Sequence, residues 1–365
     1  ILFMESKKKL RFAIVGCGRI SKRHSQLLGE NQIKGACLVS VADKNIDKAN
    51  EIAKKFSISS YQDMDQMMQR ETIDVVVVLT ESGNHAKHVT KLAKYGKHIV
   101  VEKPMALTLR DADKMIMACD KYKIKLFVIK QNRFNVPIIK LREAIEKKRF
   151  GKINMGTIRV RWSRNQSYYD QASWRGTWAL DGGVLANQAS HHIDMLEWML
   201  GEPQSVYAIA KKELVEIEAE DTAIVVLKFE SGAFGIIEAT TAVRPRDLEG
   251  SISVLGEKGS VVIEGFALNQ MKTWDFVDKE VDDETVIEKY SVNPPNVYGY
   301  GHQAYYEHVV ECINNDSAQL VDGLQGRKSL ELISAIYESI ETGKEVFLGF
   351  TPKYSKLGIK IHKDT

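Results

Sequence analysis

The stretch LRFAIVGCGRIS, residues 10–21, predicts a buried strand, a tight glycine turn and the first turn of a helix. Leu10–Val15 is almost continuously apolar, as in strands that are covered on both faces of a parallel sheet. Gly16 allows the turn, and Gly18 lets backbone amides approach a pyrophosphate at the positive end of the helix. Ser21 stands where the usual pattern has a third glycine. The spacing indicates a dinucleotide-binding turn.

Asp43 ends the second predicted strand, 25 residues after Gly18. A carboxylate at this position accepts hydrogen bonds from the adenosine ribose hydroxyls and repels a 2′-phosphate. The neighbouring Lys44 could still tolerate that phosphate, and a plain turn with a surface aspartate is the alternative. The pair Gly18 and Asp43 favours NAD over NADP.

The first third of the chain alternates apolar runs with amphipathic helical segments. This alternation predicts an NAD-binding domain over residues 8–131, built on a doubly wound parallel sheet of the Rossmann type, with ligands at the carboxyl ends of its strands. The predicted strands after the first are Ala36–Ala42, Ile73–Leu79, His98–Val101 and Leu126–Ile129.

The pattern changes after a helix that ends near Gly151. Short strands joined by hairpin signals predict a second, α+β domain over residues 132–365, with an open, largely antiparallel sheet for substrate binding and oligomerisation. Two further helices are predicted near 302–314 and 326–342. The predicted strands are Ile158–Trp162, Val206–Lys211, Ala223–Phe229, Phe234–Thr240, Ile252–Leu255 and Val261–Ile263.

The composition argues against several classes of protein. The 365 residues include 51 basic and 48 acidic side chains, a net charge of +3, so there is no general attraction to nucleic acid or membranes. The four cysteines form no CxxC pair, which favours neither a zinc site nor disulfides. No apolar stretch reaches the roughly 20 residues of a membrane span, and residues 4–9 lack a signal-peptide core. We expect a cytoplasmic protein.

Lys103 is the first candidate for chemistry. Glu102-Lys103-Pro104 directly follows the predicted strand His98–Val101, whose carboxyl end should face the cofactor. A surface lysine at a strand end is the alternative.

The second candidate is a polar stripe on a predicted helix. Asn187, His191 and Asp194 stand at i, i+4 and i+7, hence on one helical face, and polar groups on a buried helix require partners. A hydrogen-bonded core histidine is the alternative. A metal site at His191, His192 and Asp194 is not expected, because adjacent helical residues point about 100° apart.

Three stretches resemble the Gfo/Idh/MocA oxidoreductases, named for glucose-fructose oxidoreductase, inositol dehydrogenase and rhizopine catabolism: Gly16–Ile20, Glu102–Pro104 and Gly182–Asp194. The similarity extends over nearly the whole chain. Within that superfamily, the chain most resembles the bacterial UDP-N-acetyl-2-amino-2-deoxyglucuronate dehydrogenases. The stretches that carry this finer resemblance are Lys130–Phe134, Tyr168–Tyr169, Trp174–Trp178, Asn187–His191, Leu248–Ser251 and Tyr298–His302.

The resemblance implies oxidation of the sugar 3-hydroxyl of UDP-2-acetamido-2-deoxy-D-glucuronate during lipopolysaccharide O-antigen synthesis, with Lys103 and His191 as catalytic pair. It also implies a homo-oligomer, dimer or tetramer, and a downstream aminotransferase. The glycine turn and the resemblance together imply the NAD contacts, which are Gly16, Gly18, Arg19, Ile20, Asp43, Thr80, His85, Glu102, Lys103 and Gln131. The expected substrate contacts are Arg161, Tyr168, Tyr169, Trp174, Arg175, Asn187 and His191.

The roles of Lys103 and His191 rest on the residue at position 187. Many members of the superfamily have aspartate where this chain has Asn187, and an amide does not raise the pKa of a nearby imidazole as a carboxylate does. We therefore expect His191 to be neutral and to accept the proton, while Lys103 polarises the C3 oxygen. The reverse assignment stays open. Both side chains must converge on one alcohol carbon.

The stretch between Arg159 and Arg175 suggests an anionic substrate. It holds four arginines and one acid, Asp170, interleaved with tryptophan and tyrosine. Arginine binds phosphate and carboxylate in a bidentate way, and aromatic rings stack on bases. A solvated sheet face or a subunit interface is the alternative. For the whole chain, the alternatives are a dehydrogenase of another sugar or inositol and a non-catalytic NAD-sensing regulator.

Overall fold

The computed structural model describes residues 9–291 and 299–360. Tyr298, which belongs to one of the resembling stretches, lies outside them. The strands are β1 Leu10–Val15, β2 Ala36–Ala42, β3 Ser59–Tyr61, β4 Val75–Val78, β5 His98–Val101, β6 Leu126–Val128, β7 Ile153–Arg161, β8 Pro203–Lys211, β9 Thr222–Phe229, β10 Phe234–Thr240, β11 Glu249–Gly256, β12 Gly259–Glu264, β13 Gln270–Phe276 and β14 Val346–Phe347.

The helices alternate with the strands in the first part of the chain and are more widely spaced later. They are α1 Ser21–Gly29, α2 Ile46–Phe56, α3 Met64–Arg70, α4 His85–Ala93, α5 Leu109–Lys121, α6 Val136–Glu146, α7 Gln166–Tyr169, α8 Ser190–Leu200, α9 Asp283–Lys289, α10 Gly301–Asn314 and α11 Gly323–Thr342. Two 3-10 helices are Ser82–Asn84 and Gln131–Phe134.

The first compact unit contains residues 9–106, 110–129 and 302–327. Its sheet has the order β3-β2-β1-β4-β5-β6, and all neighbouring strands are parallel. This is the strand order of the Rossmann fold. The predicted α/β class is confirmed, and β1, β2 and β5 have the predicted bounds.

The register of this sheet determines where the polar residues after the strands lie. Val15 pairs with Ala42 and Val78, and Val78 pairs with Val101. The last residues of four strands therefore form one row, so the chain leaves all four strands at the same edge. The residues that follow are Gly16, Asp43, Leu79 and Glu102.

Residues 302–327, which the sequence analysis placed in the second predicted domain, belong to the first unit. Tyr306 of α10 is fully buried there and packs edge-on against Phe12 of β1, with ring centroids 5.8 Å apart. A boundary that is placed where the sequence pattern changes cannot show that the chain returns to the first unit about 170 residues later.

The second unit contains residues 107–109, 130–291, 299–301 and 328–360. Its sheet has the order β13-β12-β11-β7-β10-β9-β8-β14; β10 and β7 are parallel, and the other neighbours are antiparallel. The open, largely antiparallel sheet is confirmed. The strands β13 and β14 were not predicted, because polar residues interrupt the first and the second has only two residues.

Helix α8 packs against β7 and β11, on one face of this sheet. A Cβ at Gly156 of β7 would lie 2.7 and 2.8 Å from the side chains of Leu200 and Leu196. The glycine therefore lets α8 lie close to the strand. This contact fixes the helix that carries His191.

Candidate active site

Gly16 and Gly18 are needed for different reasons. Gly16 has φ +98°, and a Cβ there would lie 2.8 Å from backbone atoms of Leu79 and Thr80. A Cβ at Gly18 would meet nothing within 4 Å. Gly16 therefore lets β1 pass close to the loop after β4, whereas Gly18 leaves its backbone open to a ligand. This open glycine before α1 fits the approach of a dinucleotide phosphate.

The Asp43 carboxylate is oriented by two backbone amides. Its Oδ2 accepts a hydrogen bond from Cys17 N at 2.7 Å, and its Oδ1 accepts one from Asn45 N at 2.8 Å. Each carboxylate oxygen keeps a further lone pair for a ribose hydroxyl. Lys44 is exposed. The half-buried Asp43 thus fits the expected ribose contact next to the glycine turn.

Arg19 and Ile20 lie between the glycine turn and α1. Arg19 is exposed, and Ile20 is half-buried at the N-cap position. Both stay predictions as cofactor contacts.

Thr80 and His85 hold the loops after β4 and β5 together. The two ring nitrogens of His85 lie 2.9 Å from Pro104 O and 2.8 Å from Thr80 O, and the ring is buried. Burial lowers the pKa of His85 despite these two carbonyls. The Thr80 hydroxyl contacts His88 Nδ1 at 2.9 Å. His85 therefore positions backbone, since both of its ring nitrogens already face carbonyl oxygens.

Glu102 is a buried carboxylate directly before the half-buried Lys103. Its Oε2 accepts a hydrogen bond from Lys103 N at 2.6 Å, and its Oε1 lies 3.5 Å from His24 Nε2. Burial would raise the pKa of Glu102, but the contact with His24, together with the charges of Lys103 and His302, lowers it to about 2. Glu102 is therefore ionised at the edge of the sheet where a cofactor is expected.

His24 and His302 were missed by the sequence analysis. Each offers a ring nitrogen that lies within 4.8 Å of the other and of a Glu102 oxygen. The three residues are far apart in sequence, so no local spacing signals the cluster. Two histidines and a carboxylate are also a set that can bind a divalent cation.

Asn187 does not share a helical face with His191 and Asp194, contrary to the prediction. Helix α8 begins at Ser190, and residues 183–189 form turns. The bond from Ala189 N to Val184 O spans five residues, which breaks the helical register before α8. The Asn187 side chain instead donates to Asp181 Oδ1 at 2.5 Å.

His191 and Gln131 lie together in the second unit. Nε2 of the buried Gln131 is 3.0 Å from Nε2 of the half-buried His191. An amide nitrogen only donates, so His191 Nε2 accepts and the ring proton lies on Nδ1. This arrangement directs a lone pair of Nε2 at a donor, as a general base requires.

Asp194 is the anion of a buried ion cluster. Arg133 Nε and Nη2 each donate to it at 2.8 Å, Ser329 Oγ donates at 2.8 Å, and Lys130 Nζ lies 3.2 Å away. Burial would raise the pKa of Asp194, but the charges of Arg133 and Lys130 hold it well below its usual range. The buried Asp194 carboxylate was expected to need partners, and Arg133, Ser329 and Lys130 are among them.

Arg161 is not part of an uncompensated positive patch. It donates to Glu238 at 2.6 and 2.8 Å and to Glu249 at 3.0 Å, from neighbouring strands β10 and β11. Arg164 pairs with Asp247 in the same way, at 2.9 Å. The local excess of charge is thus neutralised by acids that a count along one stretch of chain cannot see. Arg161 as a substrate contact stays a prediction.

Tyr168, Trp174 and Arg175 form a separate aromatic and cationic cluster. Arg175 Nη1 donates to Tyr168 OH at 2.8 Å, and its guanidinium lies 4.5 Å from the Tyr168 ring centroid and 4.8 Å from that of Trp174. Tyr169 packs with Val215 and Ile217 and lies edge-on to Tyr168, with ring centroids 5.1 Å apart, and burial raises its pKa to about 12. Tyr169 is therefore a core residue that supports its neighbours.

None of the helices in the described ranges combines the length and apolar character needed to cross a lipid bilayer.

Comparisons with known proteins identify the family. Residues 10–130 match the model of the Gfo/Idh/MocA oxidoreductase family with its NAD-binding Rossmann fold, and residues 142–348 match the C-terminal alpha/beta domain of the same family. The chain is 29% identical to a myo-inositol 2-dehydrogenase of Thermotoga maritima over 355 residues, 93% of this chain and 98% of the relative.

Two solved structures are similar over nearly the whole chain. The WlbA dehydrogenase of Bordetella pertussis, in complex with NADH and UDP-GlcNAcA, is 39% identical with a TM-score of 0.87, covering 94% of this chain and 100% of that one. WlbA of Chromobacterium violaceum, with the same ligands, is 39% identical with a TM-score of 0.87, covering 93% and 96%. The chain belongs to the Gfo/Idh/MocA oxidoreductase family, and its first unit is the NAD-binding Rossmann fold of that family.

Proposed function

We propose that the protein oxidises the 3-hydroxyl of UDP-2-acetamido-2-deoxy-D-glucuronate, the sugar nucleotide UDP-GlcNAcA, to the 3-keto sugar. The observation that carries the proposal is the 39% identity, over 94% of the chain, to a dehydrogenase whose structure contains NADH and UDP-GlcNAcA. Bound NAD would supply the hydride acceptor, held at Gly18 and Asp43.

His191 would take the hydroxyl proton. Its Nε2 lone pair is already directed at a donor, the Gln131 amide, at 3.0 Å. A substrate hydroxyl that replaced this amide would meet the same lone pair. The hydride leaves C3 as the proton leaves the oxygen, so one C–H and one O–H bond become the ketone.

Lys103 would hydrogen-bond to the C3 oxygen and stabilise the negative charge that develops there. The buried Glu102 anion directly before it in the chain favours the charged ammonium form of the lysine. A charged lysine donates protons and does not accept them. This supports His191 over Lys103 as the base.

Arg175 would bind a phosphate or carboxylate of the sugar nucleotide. Its guanidinium donates a hydrogen bond to the Tyr168 hydroxyl and lies over the rings of Tyr168 and Trp174. Its Nε is buried and makes no hydrogen bond within the described residues. An oriented arginine beside aromatic rings suits a ligand with anionic groups and a flat base.

The test is oxidation of UDP-GlcNAcA that carries deuterium at C3. We expect NADH absorbance near 340 nm, deuterium in the reduced cofactor and stabilisation of the protein by UDP alone in a thermal shift. Absence of turnover, even with an electron acceptor that recycles tightly bound NADH, would contradict the proposal.

The alternative substrate is inositol or another free sugar, which the likeness to a myo-inositol 2-dehydrogenase favours. Turnover of myo-inositol without stabilisation by UDP would establish it. Lys103→Met and His191→Asn distinguish both enzyme hypotheses from an NAD-sensing regulator. In an enzyme, these variants should lose hydride transfer and keep their NAD affinity, whereas a regulator has no such reaction to lose.

We further propose a homo-oligomer, dimer or tetramer, in the cytoplasm, whose 3-keto product passes to an aminotransferase in O-antigen synthesis. The paired side chains Tyr207 with Val226 and Ile209 with Ile224, on β8 and β9, are 46–55% exposed and form an apolar strip. Light scattering during gel filtration, with Ile224→Glu as the disrupting variant, tests the assembly.

A further inference from the structure

The segment that carries Lys103 is tied to two buried residues outside any recognised motif. His24 Nδ1 lies 2.7 Å from Tyr306 OH, and His24 Nε2 lies 3.5 Å from Glu102 Oε1. Glu102 Oε2 accepts the backbone N–H of Lys103 at 2.6 Å. His24 and Tyr306 have no exposed surface, and all four residues belong to the first unit.

The tautomer of His24 follows from the position of the carboxylate. If Nδ1 of a neutral His24 carried the proton, its Nε2 lone pair would face the Glu102 anion, and the two would repel each other. With Tyr306 O–H donating to Nδ1, Nε2–H points at Glu102 instead. The tyrosine hydroxyl therefore sets the imidazole tautomer, and the imidazole orients the carboxylate.

Glu102 depends on this arrangement for its charge. Burial raises the pKa of a carboxyl, and for Glu102 the contact with His24 is the largest opposing influence. His302 and Lys103 add smaller ones. Without His24, burial would favour the protonated form, and Lys103 would lose the anion beside it.

We propose that His24 and Tyr306 are positioning residues for Lys103: they fix the orientation and the charge of Glu102, which accepts the backbone N–H of Lys103. The inference rests on the proposed function in taking Lys103 as a catalytic residue. It explains why a carboxylate, an imidazole and a phenol are buried together behind the strand end.

The test compares three variants with the wild type. His24→Met removes both ring nitrogens, whereas His24→Gln keeps an N–H near the position of Nε2. Tyr306→Phe removes only the hydroxyl that sets the tautomer. Tyr95→Phe is the matched control, because it deletes another tyrosine hydroxyl of the same unit, bonded to Asp65 at 2.7 Å. Circular dichroism and NAD titration establish that each variant is folded.

The first readout needs no substrate. Competitive acylation followed by mass spectrometry gives the pH at which Lys103 is half reactive. Glu102→Gln removes the anion completely, and we expect it to lower the pH at which Lys103 is half reactive by about one unit. We expect His24→Met to approach that fall, Tyr306→Phe to show part of it, and His24→Gln and Tyr95→Phe to stay near the wild type.

The second readout is the pH dependence of kcat with UDP-GlcNAcA. We expect His24→Met to lower kcat about 10- to 100-fold with little change in the KM for NAD, and to add an acid limb as Glu102 titrates in a measurable range. A purely structural role would lower stability without this limb.

Folded His24→Met and Tyr306→Phe proteins with the wild-type Lys103 midpoint would overturn the inference. A midpoint that changes when the wild type is treated with a chelator would also overturn it, because His24, Glu102 and His302 would then be metal ligands. If the wild type does not oxidise the sugar nucleotide, the proposed function fails, while the acylation result still decides the role of His24.

Discussion

Replacing Asp194 by asparagine should destabilise the protein strongly although Asp194 performs no chemistry. The carboxylate accepts three hydrogen bonds at 2.8 Å from Arg133 and Ser329, with Lys130 at 3.2 Å. The side chains of Asp194, Arg133 and Lys130 are only 2%, 4% and 6% exposed. Asparagine keeps the shape but leaves two buried cations without their shared anion.

The expected loss follows from this burial. Breaking a buried ion pair by removing one partner costs about 3–5 kcal/mol, whereas an exposed pair contributes about 0–1 kcal/mol. Asp113→Asn is the matched control, since Asp113 pairs with Arg327 at 2.5 Å but its side chain is 48% exposed. We expect a loss of about 3–5 kcal/mol for Asp194→Asn and less than about 1 kcal/mol for Asp113→Asn.

Urea unfolding followed by circular dichroism measures both losses. The pKa of Asp194 is lowered in the folded protein, so its contribution is complete above the ordinary value of 3.8 and is lost as the pH falls below it. The difference between Asp194→Asn and wild type should therefore be full at pH 7 and shrink below about pH 4. Adding Lys130→Met should restore part of the loss. Equal losses for Asp194→Asn and Asp113→Asn would refute the reasoning.

Three further predictions concern the glycine turn, a buried acid and the aromatic and cationic cluster around Arg175. Gly16→Ala should lower the free energy of unfolding in urea by more than about 2 kcal/mol, because Gly16 has φ +98° and an added Cβ would lie 2.8 Å from backbone atoms. Gly18→Ala should keep the fold and weaken NAD binding about tenfold in a fluorescence titration. Burial raises the pKa of Glu220 from 4.5 to about 7. The free energy of unfolding of the wild type should therefore fall by about 3 kcal/mol as the pH rises from 4.5 to 7. The Glu220→Gln variant should not show this decline in urea unfolding. Arg175→Met should raise the KM for UDP-GlcNAcA about tenfold or more with a smaller effect on kcat in steady-state kinetics; an unchanged KM would remove Arg175 from the substrate site.

The sequence was most informative where a local pattern determines the structure. Apolar runs gave β1, β2 and β5 with their observed bounds, because a strand covered on both faces needs apolar residues along its length. The bounds of β10 were also predicted, although buried and more exposed residues alternate along it. The glycine turn and Asp43 also follow from local backbone requirements.

The sequence was least informative about partners that are distant in the chain. Glu238 and Glu249 neutralise Arg161 from neighbouring strands, and Arg133 and Lys130 neutralise Asp194 across about 60 residues. The start of α8 was also misplaced, since periodicity placed Asn187 on a helical face although the preceding residues form turns. Charge counts and periodicities describe one stretch at a time, whereas these contacts join segments that are distant in the chain.

The central claim is that Lys103 and His191 act on the same substrate hydroxyl. The most direct measurement is a crystal structure of the complex with NADH and UDP-GlcNAcA. The account predicts Lys103 Nζ and a ring nitrogen of His191 both within about 3.2 Å of the C3 oxygen, with C3 facing the nicotinamide. A structure in which either side chain contacts neither the sugar nor the cofactor would contradict it.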